Sequence, residues 1–387
     1  MSVQKLIGLS AAAFLVSAFH KRRQSLTFEH FITLPDQELP PLSIVVAAKD
    51  EGLTIGPALE SLLDLEYPEL EVILVEDRSV DDTYQVALEC QQRHPRGHRL
   101  VIERCKELPE GWLGKVHGLH LGARKARHPL ILFTDADVHF APESLKRAVS
   151  IQQVLSCDHL VAAPQIDARG FWEPLLTAYF LIMFAVRFQP SQVHTRKKSY
   201  VGIGAFNMLT RQTLERCHYL EPLRLQITDD VHLGRLVKSL GMSQYCVIAE
   251  DQIRVRWFEG LLGCVRGLEK NAYAGLNYSL PFAVLVLLSL LGTALAPALM
   301  ALTGKATWAG LYLLFLFLTG LTVPPSCRLP RWVGLFFPVA AGVLAYTFGR
   351  SVWLTEKQDG VRWRGTYYSL AELRKEHWRF LREKAPL

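Results

Sequence analysis

Leu130-Ile131-Leu132-Phe133-Thr134-Asp135-Ala136-Asp137 is a short apolar run that ends abruptly in two carboxylates. Such a run reads as a buried strand with acidic groups at its exit. Three upstream stretches repeat the apolar part: SIVVAA at 43–48, EVILVE at 71–76 and LVIE at 100–103. The intervening stretches 54–65, 81–93 and 115–127 read as helices, the second opening at an Asp/Thr-rich cap in which Asp81 and Asp82 are capping residues. Strand and helix in alternation predict an α/β fold, a Rossmann-like doubly wound sheet with mostly parallel strands. Ligands of such sheets sit beyond the carboxyl ends of the strands, so polar residues that follow a strand are the ones to inspect.

Moving outward, the chain turns greasy at both ends. Residues 3–19 form an apolar run stopped by His20-Lys21-Arg22-Arg23. Because the charge follows the run, the positive-inside rule predicts an uncleaved anchor over 1–23, with residue 24 onward in the cytoplasm. Late in the chain, 281–302, 308–323 and 332–354 are each near the length of a bilayer span. The expected plan is therefore an anchor (1–23), a cytoplasmic catalytic domain (24–257), an interfacial amphipathic helix (258–279), about three transmembrane segments (280–354) and a basic tail (355–387). That plan describes a multi-pass protein of the cell membrane.

Two points stay open at this level. The stretch 258–278 is either an interfacial helix or one packed on the soluble domain. Three crossings would put the tail outside, whereas Lys357, Arg362, Arg364, Arg374, Lys375, Arg379, Arg382 and Lys384 favour the inside; either one segment is re-entrant or the charge rule fails. The apolar run 174–186 is short for a span and reads as a core or surface-lying helix.

Composition narrows the class. Half of the 387 residues are apolar and the net charge is +6. No dense basic stripe with interleaved aromatics occurs, which argues against nucleic acid as a partner. The seven cysteines form no CxxC pair and lie at no zinc spacing, so they read as small core or membrane residues.

The chemistry-bearing residues follow the strands. Asp135 and Asp137 can share a hard divalent cation, Mg²⁺ or Mn²⁺, which prefers oxygen ligands and keeps positions for phosphate oxygens. Asp77 ends the strand EVILVE, where a carboxylate can accept a base N–H or a ribose hydroxyl. Asp50 and Glu51 follow the first strand, either along the same nucleotide or as loop carboxylates in water. Gly111-Trp112-Leu113-Gly114-Lys115 is a turn before a helix, from which Lys115 can add a point charge to a diphosphate. In Ile227-Thr228-Asp229-Asp230, Thr228 can cap a helix that exits at Gly241. Asp229 then serves that helix start or the ligand, Asp230 is the candidate general base, and His232 is a surface residue. Arg256-Trp257 offers a cation for a leaving diphosphate and an indole for a sugar or headgroup, or simply a membrane-surface anchor.

In this order the motifs resemble the inverting family 2 glycosyltransferases of GT-A fold, over residues 40–275. The resemblance is greatest to membrane-bound members that act on ceramide, carotenoid and hopanoid-associated lipids. It implies a nucleotide-sugar donor, a UDP-sugar by family expectation, and a lipid acceptor. It also places Asp50 where the family has Asn, with Glu51 beside it. Asp77 falls at the nucleoside carboxylate, Asp135 and Asp137 at the metal motif, and Asp230 at the catalytic base of the Glu-Asp pair, with Asp229 before it. Membrane members often carry Gln-x-x-Arg-Trp. Here Arg256-Trp257 stands, but Ile253 fills the first position and Gln252 lies one residue early. That departure argues against a processive polysaccharide synthase. Trp363-Arg364-Gly365-Thr366-Tyr367 also resembles a recurring tail of the lipid-acting members.

The alternatives are that processive synthase, a haloacid-dehalogenase-like phosphatase using Asp135-Ala136-Asp137-Val138, and an inactive membrane scaffold that has kept the fold.

Overall fold

The computed structural model describes residues 3–387; residues 1 and 2 of the expected anchor lie outside them. Its strands are β1 (Leu26–Thr27), β2 (Leu42–Ala48), β3 (Leu70–Asp77), β4 (Leu100–Cys105), β5 (Leu130–Thr134), β6 (Val138–Phe140), β7 (His159–Ala163), β8 (Gln165–Ile166), β9 (Asn207–Thr210), β10 (Gln244–Ile248), β11 (Ile253–Val255), β12 (Gly360–Trp363) and β13 (Thr366–Ser369). The chain forms two compact units.

One unit comprises 26–166, 189–256 and 375–387. Its core is an eight-stranded sheet in the order β1-β10-β7-β9-β5-β2-β3-β4. Every pairing is parallel except those of β9, which runs antiparallel to both β5 and β7. Helices cover the central strands, so β3 is buried along its whole length and β2 nearly so. This explains why both strands are continuous Val/Ile/Leu runs rather than alternating ones. The helices Ile55–Leu63, Thr83–Arg93 and Gly114–Lys125 lie where the sequence places them. A smaller sheet, β6-β11-β8, carries the chain onward from the acidic motif.

The topology fixes where a ligand can go. From β2 the chain steps to β3 and β4 on one side, and β5 returns to the other. Strand order thus reverses between β2 and β5, and the crevice beyond their carboxyl ends is the expected binding place. Val46 pairs with Thr134 and Ala48 with Glu76, so the three strands end nearly level. Asp50, Asp77 and Asp135 leave the sheet at that common edge.

The other unit comprises 3–25, 167–188 and 257–374. It holds the helices Val3–Arg23, Trp172–Phe188, Gly260–Gly275, Leu280–Leu302, Ala306–Gly320 and Phe337–Lys357, with the β12–β13 hairpin. Among the described residues two helical stretches are long and apolar enough to cross a membrane, Leu280–Leu302 and Arg331–Lys357. The third expected segment forms the helix Ala306–Gly320, only 15 residues long. A Cβ on Gly349 would meet Leu287 and one on Gly342 would meet Ala294, so the two longer helices run antiparallel. Gly260–Gly275 lies in this unit, against Phe337–Lys357. Arg350 Nε is 2.6 Å from Glu269 Oε2, and Tyr273 N–H donates to Ser351 Oγ at 3.1 Å.

Candidate active site

Lys115 is the hub. The Leu113 N–H donates to the Arg224 carbonyl at 2.7 Å, which holds the glycine-containing turn, and Gly114–Lys125 begins immediately after it. From the first turn of that helix the ammonium reaches Asp135 Oδ1 at 2.6 Å and Asp229 Oδ2 at 3.9 Å. These residues line one cavity with Thr134, Gly204, Asn207 and Asp230. Burial by itself would lower the Lys115 pKa, but Asp135, Asp229 and Asp230 outweigh it and hold the ammonium charged.

Asp230 opens the helix Asp229–Ser239. Its Oδ2 accepts the Gly204 N–H at 2.9 Å and its Oδ1 accepts the Val231 N–H at 2.8 Å. Burial and then the neighbouring Asp229 push its carboxyl up to about 7, partly offset by Lys115. A carboxyl so poised can take a proton near neutral pH. Asp137 is also raised, to about 6, by burial first and then by the charges of Asp135 and Glu51.

The donor-side residues divide into pinned and paired groups. Asp50 has φ +54°, a left-handed conformation that Asp and Asn tolerate better than most residues. Its Oδ1 accepts the Val80 N–H at 2.9 Å, and its N–H donates to Ser79 Oγ at 3.1 Å. This ties the loop after β2 to the loop after β3. The Glu51 N–H donates to Thr83 Oγ1 at 2.7 Å. Buried Asp77 is bridged by its own neighbour: Arg78 Nε and Nη2 donate to its two oxygens at 2.7 and 3.0 Å. A Cβ on Gly114 would overlap Asp77 Oδ2, so the turn bearing Lys115 lies directly against that carboxylate.

Lys115, Asp135, Asp229 and Asp230 are thus gathered at one cavity, with Asp137 and Glu51 within electrostatic reach. Arg256 and Trp257 do not line that cavity. Arg256 is exposed. Trp257 belongs to the apolar unit, stacked on Phe258 at 4.2 Å and edge-on to Phe180 at 4.6 Å. His232 is buried at 7 % exposure, not a surface residue. Its Nδ1 lies 2.8 Å from the Thr228 carbonyl and 2.9 Å from Thr228 Oγ1, so Thr228 engages the histidine rather than capping the helix through its hydroxyl.

Sequence reasoning passed over the loop 200–206. Its Val201 is held by both ends of the Gln244 amide, at 3.0 and 2.8 Å. Thr134 Oγ1 donates to the Ala205 carbonyl at 2.8 Å. A Cβ on Gly204 would overlap Asp135 Oδ2, and one on Gly202 would overlap the Asp230 carbonyl. The Gly202-Ile203-Gly204 spacing was the available signal.

Residues 40–256, more than half of the chain, match the model described as glycosyltransferase like family 2. The chain is 28 % identical over 138 residues to poly-beta-1,6-N-acetyl-D-glucosamine synthase of Staphylococcus epidermidis, covering 35 % of this chain and 30 % of that protein. It is 20 % identical over 220 residues to ceramide glucosyltransferase 1 of Caenorhabditis elegans, covering 55 % and 45 %. The chain spans less than half the length of these curated relatives. Among solved structures it is similar to mannosyltransferase PcManGT from Pyrobaculum calidifontis, in complex with GDP-Man and Mn²⁺. That match has a TM-score of 0.52 and 19 % identity, over 88 % of this chain and 97 % of that one. The likeness supports a shared GT-A fold. The chain belongs to glycosyltransferase family 2.

Proposed function

We propose that the chain transfers a sugar from a nucleotide-diphosphate donor to a hydroxyl of a membrane-associated lipid, with inversion at the sugar carbon. The carrying observation is the Asp230 carboxylate, fixed by the Gly204 N–H in the cavity that also holds Lys115 and Asp135. The donor nucleotide lies beyond the ends of β2, β3 and β5, with Asp50, Glu51 and Asp77 beside it. Lys115 draws the diphosphate toward the start of its helix. Asp230 takes the proton from the acceptor hydroxyl as the oxygen attacks the sugar carbon and the nucleoside diphosphate departs. Asp229 shares the Lys115 charge and raises the basicity of its neighbour.

The residues fit a divalent metal. Among the described residues no group of three or more His, Cys, Asp or Glu side chains makes a complete ligand set. Asp135 and Asp137 instead offer two hard oxygens, at a spot where burial first, and then the charges of Asp135 and Glu51, raise Asp137. Mg²⁺ and Mn²⁺ are commonly held this way, with phosphate and water completing the shell. When bound, such an ion neutralises charge on the leaving diphosphate.

Membrane attachment is supported by the two long apolar helices and by leucines exposed along one of them, Leu285, Leu288, Leu295 and Leu299. A single transfer is favoured over a processive synthase by Ile253 in place of the expected glutamine. The phosphatase alternative needs its late acidic pair after a strand, whereas Asp229-Asp230 opens a helix.

The test is to supply membranes containing the protein with UDP- and GDP-sugars and weigh the lipids. A hexose-sized increment with released nucleoside diphosphate is expected. Asp230→Asn should lower turnover by about two to four powers of ten while nucleotide binding persists. Released inorganic phosphate, or normal turnover by that variant, refutes the assignment.

A further inference from the structure

The segment 375–387 returns to the catalytic unit after more than a hundred residues spent in the apolar one. It lands on the two elements that flank Asp229-Asp230. On the upstream side, His377 Nδ1 lies 2.9 Å from Gln226 Oε1, and Arg224 Nη2 lies 3.2 Å from Glu376 Oε2. Arg224 is the residue whose carbonyl holds the Lys115 turn through Leu113. On the downstream side, Arg235 Nε donates to the Ala385 carbonyl at 2.8 Å. Between them, the rings of Phe380 and His377 meet the His232 ring edge-on, each with centroids 5.2 Å apart. His232 in turn grips Thr228, the residue at the N-cap of the helix that begins at Asp229.

These contacts are buried: Phe380 is 1 %, His377 2 %, Gln226 2 % and Ala385 0 % exposed. A basic tail with only a membrane-surface role would present those groups to solvent. We propose that 375–387 is a positioning strap, with Phe380 and His377 acting through His232 and Thr228 to hold the start of the Asp229–Ser239 helix. The proposal rests on Asp230 as the base. Catalytic geometry tolerates little slack, and a displacement of an ångström at a base reduces turnover far more than it weakens donor binding.

The test uses the full chain in detergent, comparing wild type with Phe380→Ala and Phe380→Leu. Amide exchange over 226–234 should quicken at least about tenfold in the alanine variant and return toward wild type in the leucine one. Turnover is measured with whichever of UDP-glucose, UDP-N-acetylglucosamine or GDP-mannose the wild type consumes. It should fall about tenfold or more in Phe380→Ala while the donor KM stays within about twofold. Unchanged exchange over 226–234 overturns the strap, as does faster exchange spread evenly through β2, β3 and β5. Local loosening in a chain that consumes no nucleotide sugar would keep the strap and remove the glycosyl-transfer reading, so the two failures are separable.

Discussion

Asp135 and Asp230, far apart in sequence, meet at the single backbone position Gly204. The Gly204 N–H donates to Asp230 Oδ2 at 2.9 Å, and the space where a Cβ would stand is taken by Asp135 Oδ2. The carboxylates proposed for the metal and for the base are thereby separated by one residue without a side chain. Lys115 bridges the same pair of segments from the other side, 2.6 Å from Asp135 and 3.9 Å from Asp229. One cation facing Asp135, Asp229 and Asp230 leaves net negative charge, which would suit a site that receives a metal–diphosphate.

Gly204→Ala should therefore separate fold from function. The methyl group must displace Asp135, the Gly204 N–H, or both, while the surrounding core strands keep their packing. We expect turnover to drop by about a hundredfold or more. Far-ultraviolet circular dichroism and the melting temperature should change little. An alanine variant with full turnover would show that the two carboxylates do not depend on this spacing.

The pH profile should carry the signature of Asp230. As a base it must be ionised, and its carboxyl is pushed up to about 7 by burial and Asp229. The kcat/KM should fall about tenfold per unit below that pH and level off above it. Asp229→Asn removes a raising charge, so the acid limb should move to lower pH. Linkage gives the stability sign. A carboxyl whose folded pKa exceeds its unfolded value contributes stability below the unfolded value and loses it as pH rises through the folded one. Asp230→Asn should remove that loss, so its melting temperature relative to wild type should increase between pH 5 and pH 8.

Much of this site was legible in the sequence because parallel strands write their ends plainly. LILFT, EVILVE and SIVVAA are almost wholly buried, and the candidate acidic residues come within a few positions of their exits. Asp229-Asp230 was legible for a related reason, as the start of a periodic helix. Gly204 was not, since its importance comes from two carboxylates brought together across long stretches of chain. The docking of the tail was not legible either: its basic residues are what the sequence displays, whereas Glu376, His377, Phe380 and Ala385, which hold it to the catalytic unit, carry no pattern. His232 read as a surface residue because nothing local announces that a C-terminal segment will cover it.

Metal removal should distinguish the roles of the two motif carboxylates. EDTA should abolish turnover, and Mn²⁺ or Mg²⁺ should restore it. In Asp137→Asn the concentration of Mn²⁺ for half-maximal activity should rise at least about tenfold. Asp135→Asn also frees Lys115 from its shortest partner, so the donor KM should rise as well. Undiminished activity in EDTA would exclude a divalent ion at Asp135 and Asp137.

The tail also bears on how the chain crosses the membrane. Residues 375–387 share a compact unit with Lys115, Asp135 and Asp230, so both must lie on the same side of any bilayer. Between 257 and 375 the chain must then cross an even number of times. Leu280–Leu302 and Arg331–Lys357 are the two described helical stretches long and apolar enough for such crossings, and they run antiparallel, whereas Ala306–Gly320, at 15 residues and about 1.5 Å of rise each, is short of a roughly 30 Å core. With two crossings the basic tail would obey the positive-inside rule; with three it would not. Single cysteines at Leu387 and Lys305, introduced into a chain freed of its native cysteines, should label from opposite faces of sealed vesicles. The Leu387 label should share the face of a reporter cysteine at exposed Leu53. Labelling of Leu387 and Leu53 from opposite faces would require an odd number of passes and would detach the tail from the catalytic unit.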